Sequence, residues 1–139
     1  MSTHVEASTE DLWAVVADIE SWPDALESMN SVRITSDGAF GEGSTARLQQ
    51  PSMPDLTWTV TSWRPESSFD WQTRFAGTTI LATHRVEPDG SGSRLTLGVQ
   101  QTGLTAPLMA LLGGRRNRRY VGIELEGTKR AAEERARTQ

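Results

Sequence analysis

A chain of 139 residues with 36% hydrophobic content can bury one core and is too short for two ordinary domains, so residues 1–139 are expected to form a single domain. The lack of cysteine excludes disulfides and thiol catalysis, and two histidines without close ligand spacing argue against a resident metal or cofactor. A net charge of −4 opposes nucleic-acid binding, no run reaches the roughly 18 apolar residues that cross a bilayer, and no secretory leader opens the chain; the expectation is a cytoplasmic protein without integral membrane association.

Thr3–Ala7 reads as a short first strand. Ser8-Thr9-Glu10-Asp11 resembles a capping box and opens a helix whose Leu12, Val15, Val16 and Ile19 share a face. Trp22-Pro23 stops that helix, and Pro23 suits the first position of a second short one running through Glu27. From Asn30 the period changes to two. Val32 and Ile34 lead to an Asp37-Gly38 turn, and Ala46 and Leu48 lead to Pro51, with the facing of Arg47 and Gln50 left open.

The clearest alternation sets Leu56, Trp58, Val60 and Ser62 against Thr57, Thr59, Thr61 and Trp63, which leaves Trp63 on the outer face. Phe69, Trp71, Thr73 and Phe75 oppose Asp70, Gln72 and Arg74 in the next strand. Gly77 turns the chain into Ile80, Ala82, His84 and Val86, and Pro88-Asp89-Gly90-Ser91-Gly92 turns it again into Leu95, Leu97 and Val99. Short strands joined by tight turns make an antiparallel sheet. Thr105 is placed to cap a last helix reaching about Arg137, with Pro107 in its first turn and Gly113-Gly114 as a kink or pause. Arg115, Arg116, Arg118 and Arg119 form a basic cluster on it. That cluster reads as a solvated face, with contact to an anionic ligand, lipid or partner as the alternative.

This order of elements, with Ala7-Ser8-Thr9-Glu10-Asp11-Leu12-Trp13, Asp18-Ile19-Glu20-Ser21-Trp22-Pro23, Trp58-Thr59-Val60-Thr61, Thr83-His84-Arg85-Val86-Glu87-Pro88 and Glu126-Gly127-Thr128-Lys129-Arg130, resembles the START/Bet v 1-like helix-grip superfamily. The resemblance covers nearly the whole chain and points to the bacterial polyketide cyclase/dehydrase branch. It departs from the pattern in a very short first strand and in Thr128, where relatives often have leucine. The resemblance implies an α+β helix-grip fold: a curved antiparallel sheet of about seven strands around a long C-terminal helix, with two short helices after the first strand. It also implies an internal cavity. The superfamily includes cofactor-independent cyclases and dehydratases, lipid and hormone carriers and chaperone-activating domains, so fold alone does not select among them.

On the assigned facing, the cavity wall comprises Trp58, Val60, Phe69, Trp71, Thr73, Phe75, Ala82, His84, Leu97 and Val99. Met109, Leu112, Tyr120 and Ile123 are expected to face it from the helix. This lining suits an aromatic, polyketide-like or isoprenoid ligand, unless the same aromatics simply fill a core. His84 is the candidate general acid or base, and Tyr120 the candidate hydroxyl donor to a ligand carbonyl; each could equally be a packed ring with a satisfied polar atom. Three readings follow: a carrier of an apolar small molecule, a cofactor-independent cyclase or dehydratase, and a protein-interaction module presenting Trp63 and the arginines. A monomer or homodimer fits all three.

Overall fold

The computed structural model describes residues 1–138. Its strands are β1 (Ser2–Val5), β2 (Ser31–Ile34), β3 (Thr45–Gln49), β4 (Leu56–Arg64), β5 (Ser68–Phe75), β6 (Thr78–Asp89) and β7 (Gly92–Thr102). Two short helices, α1 (Thr9–Ala17) and α2 (Trp22–Ala25), follow β1 with a 3₁₀ turn over Ile19–Ser21 between them, and α3 (Ala106–Arg137) closes the chain. The strands form one antiparallel sheet in the order β1-β7-β6-β5-β4-β3-β2. β2 to β7 are thus a meander, and β1 crosses over to pair Ser2 with Thr96 and Val5 with Ser93. With α3 laid against the sheet, this is the expected helix-grip fold.

The Ser8 hydroxyl accepts from the Asp11 N–H at 3.1 Å, so the helix start is capped as its sequence foretold. The helix stops sooner than expected, at Ala17, because Asp18 leaves helical geometry (φ −87°, ψ 69°). Ile19 still reaches the core, from the 3₁₀ turn.

Two further corrections follow from local hydrogen bonding. β4 carries a bulge between Val60 and Ser62, after which Trp63 pairs with Phe69, whose ring is buried. Cross-strand partners share a face, so the extra residue turns Trp63 inward, onto Trp13 (5.2 Å between ring centroids), Phe40 (5.3 Å) and Phe69 (5.4 Å). The second correction concerns Thr105, whose side chain does not cap α3. Its hydroxyl donates to the Ala76 carbonyl at 2.6 Å and meets the Thr78 hydroxyl at 2.7 Å, tying the helix start to the β5–β6 turn. In that turn Ala76 and Gly77 both have positive φ (51° and 82°), as a two-residue hairpin of this hand requires.

α3 runs unbroken through Gly113-Gly114, where a kink was expected; flanking leucines and arginines are good helix formers. Its two halves differ. The second half buries Leu125, Gly127, Thr128 and Ala132, whereas the first buries only Ala106 and Gly113. At Gly127 the helix passes so close to the end of α2 that a Cβ would lie 2.5 Å from the Ala25 carbonyl oxygen. The second half is therefore clamped to the core, and the first half spans open space beyond it.

Candidate functional site

Two adjoining spaces lie under α3. The inner one, of about 80 Å³, is walled by Trp58, Trp71, Ile80, Ala82, His84 and Val99 of the sheet, with Leu48 and Gln50 at the end of β3. Trp22, Met29 and Met53 close it, and α3 contributes Asn117, Tyr120, Val121 and Glu124. The outer one is a groove of about 720 Å³ between β7, past the end of β1, and the first half of α3; Leu97, Gln101, Ala106, Pro107 and Arg118 are among its walls. Val99, Asn117 and Val121 line both spaces and form the partition. The groove has the volume of an ordinary small-molecule site, whereas the ionisable pair sits in the smaller chamber.

His84 is placed by register. Its strand partner is Phe69, and the two rings stack with centroids 4.0 Å apart and planes 9° from parallel. The Nδ1–H donates to the Phe69 carbonyl at 3.1 Å, which fixes the ring and turns Nε2 toward α3. There it meets Oε1 of Glu124 at 3.3 Å, with only 3% of His84 exposed. With Nδ1–H committed to the Phe69 carbonyl, Nε2 and the Glu124 carboxylate face each other across a single position that a proton can occupy.

The wall carries two further polar features. The indole N–H groups of Trp22 and Trp58 are buried and have no acceptor among the protein atoms. A buried donor without a partner costs about 1–3 kcal/mol. The Tyr120 hydroxyl, in contrast, donates to the Pro51 carbonyl. Its proton is engaged in tying α3 to the loop after β3, which corrects the expectation that it donates to a ligand.

Of the other residues expected at the wall, Trp58, Trp71, Ala82, His84 and Val99 line the inner space, and Leu97 lines the groove. Val60 and Phe69 belong to the packed core instead. Thr73 is buried with its hydroxyl donated to the Thr57 carbonyl at 2.7 Å, and Phe75 lies at the end of its strand, outside both linings. On α3, Leu112 is 76% exposed, and Met109 and Ile123 line neither space. The inward stripe is Asn117, Tyr120, Val121 and Glu124, spaced i, i+3, i+4 and i+7, whereas Leu112 lies about 140° round the helix from Asn117. That spacing was visible in the sequence, but the apolar residues drew the stripe to the wrong flank. Of the two side chains of unsettled facing, Gln50 lines the inner space and Arg47 points out to Asp55 at 3.6 Å.

A family profile described as polyketide cyclase / dehydrase and lipid transport matches residues 1–133. A comparison with curated protein sequences gives no match. Among solved structures, the Zhui aromatase/cyclase from Streptomyces sp. R1128 is similar at 16% identity and TM-score 0.74, over 97% of this chain and 92% of that one. The di-domain aromatase/cyclase StfQ from the steffimycin biosynthetic pathway is similar at 14% identity and TM-score 0.74, over 99% of this chain and half (50%) of that one. Ara h 8.0201 is similar at 12% identity and TM-score 0.71, over 100% of this chain and 96% of that one. At these identities the likeness is one of fold.

Proposed function

Because the chain belongs to the polyketide cyclase/dehydrase and lipid transport family, we propose that it binds an apolar small molecule carrying carbonyl or hydroxyl oxygens. The ligand's body lies in the groove beside β7, and an oxygenated end reaches past Val99, Asn117 and Val121 to the inner space. The observation that carries this reading is the pair of buried indole N–H groups of Trp22 and Trp58, two residues that line the inner space, which have no acceptor among the protein atoms. A hydrocarbon would leave both unsatisfied, whereas a ketone or phenol gives them acceptors. Two of the similar structures are aromatase/cyclases by name, which supports a polyketide-like class of ligand.

Tryptophan fluorescence titration with an aromatic hydroxy-ketone and with the hydrocarbon of the same ring skeleton tests the reading. The oxygenated compound is expected to bind at least about tenfold more tightly, and Trp58→Phe to remove much of that preference, since one hydrogen bond is worth about 1 kcal/mol. Equal affinities for the two compounds would overturn it.

A second reading, catalysis without a cofactor, is favoured by the contact between His84 and Glu124. A neutral His84–carboxylate pair can take a proton from carbon next to a ligand ketone. The resulting enolate attacks a second carbonyl of the same chain, a carbon–carbon bond forms, and the new alkoxide recovers the proton from the pair. The wall contributes by holding the chain in a folded conformer. If this reading holds, His84→Ala abolishes conversion of a poly-ketone substrate while ligand binding persists.

A further inference from the structure

Among the described residues, the large hydrophobic side chains left exposed are Met1, Val99, Leu104, Leu108, Leu111 and Leu112. They gather at one end of the molecule. Leu104 is 100% exposed, Leu111 81% and Leu112 76%, and Met1 and Val99 stand in the walls of the groove that runs beside the same helix turns. Leu108, Leu111 and Leu112 face away from the cavity stripe and form one outward row. Such clusters are uncommon on a free surface and mark a place of contact.

Charge identifies what is contacted. From Gly90 to Ile123 the chain has five arginines and no acidic residue, against a net charge of −4 for the whole. Arg115 and Arg119 continue the leucine row at helical spacing, and Arg118 flanks it; all three are exposed and outside every ion pair among the described residues. Seven residues separate Leu111 from Arg118, a rise of about 10 Å along the helix. An apolar tip followed at that distance by cations matches the passage from acyl chains to headgroup phosphates. No helix among the described residues is long and apolar enough to cross a membrane.

We propose that the first half of α3 docks peripherally on an anionic lipid bilayer, its leucines entering the interfacial layer and Arg115, Arg118 and Arg119 contacting phosphates. The docking is independent of the ligand-binding reading, because the lipid-free titration above tests the latter alone.

The test is flotation of the full chain with vesicles of phosphatidylcholine alone or with about 30% phosphatidylglycerol, at about 0.1 M and 0.5 M NaCl. The expected result is association with the anionic vesicles, falling severalfold at high salt. The variant carrying Leu111→Asp and Leu112→Asp should no longer float. Arg115→Gln and Arg119→Gln should each weaken association about fivefold. Unchanged thermal midpoints in the surface variants separate docking from folding. Absence of wild-type flotation, equal binding to neutral vesicles, or wild-type binding by all variants would overturn the proposal. So would a leucine-dependent dimer in lipid-free sedimentation, which would make this face a subunit interface.

Discussion

The imidazole of His84 and the carboxylate of Glu124, forty residues apart in the chain, meet at 3.3 Å between the sheet and α3. Each is presented by a rigid element, and the His84 ring is held from behind by the Phe69 carbonyl and ring. Glu124→Leu removes the partner of a buried ring nitrogen and is expected to lower stability by about 1–3 kcal/mol, with Glu124→Gln recovering part of the loss. Urea denaturation of the two variants checks this. Equal midpoints for both and the wild type would show that the contact contributes nothing to folding.

Tyr120 contributes its ring to the inner wall and its hydroxyl to the Pro51 carbonyl. Tyr120→Phe should therefore leave ligand affinity within about threefold, lower stability by about 1 kcal/mol, and speed amide exchange at Ser52 and Met53. A tenfold loss of affinity with unchanged exchange would return the hydroxyl to the ligand.

Trp63 separates the inward and outward assignments of its strand's end. Packed against Trp13, Phe40 and Phe69, it should cost about 3 kcal/mol or more when replaced by alanine, whereas a surface substitution stays within about 0.5 kcal/mol. Chemical denaturation reads this directly.

β1 is held at its edge by a charged cluster. Nδ1 of His4 contacts the Asp89 carboxylate at 2.8 Å, and Nε2 contacts Glu6 at 2.9 Å. The hydrogen bond to Asp89, opposed by partial burial and aided by Glu6, raises the His4 pKa above its usual 6.5. The same bond, opposed by burial and aided by Arg94, lowers that of Asp89 below 3.8. A raised pKa means that the His4 contribution is complete below pH 6.5 and is lost as pH rises through the elevated folded value. A lowered one means that the Asp89 contribution is complete above pH 3.8 and is lost as pH falls through the depressed value. Protection of the β1 amides, relative to the intrinsic exchange rate at each pH, should be highest between these limits and should fall on the alkaline side. His4→Ala should flatten that fall, and the same fall in the variant would place its cause elsewhere.

The sequence by itself determined the order of elements, the antiparallel sheet and the long last helix, because periodicity, capping and turn chemistry are local and survive without a partner. Ser8 as a cap, Gly77 as a turn and the inward facing of Trp58, Trp71 and His84 are all of this kind. Only the tertiary structure decided the rest. The bulge after Val60 is a single extra residue in β4, and no alternating pattern reveals where a ladder will slip, so Trp63 was read on the wrong face. The rotation of α3 is set by its clamped half, where Gly127 lets it approach Ala25 and Leu26. That rotation turns Asn117 and Glu124 inward and leaves Leu111 and Leu112 in solvent, the reverse of what hydrophobicity alone selects. Thus the nature of the container was local information. The pairing of Glu124 with His84, and the exposed leucines beside the groove, arise from the angle at which one helix is pinned to a sheet.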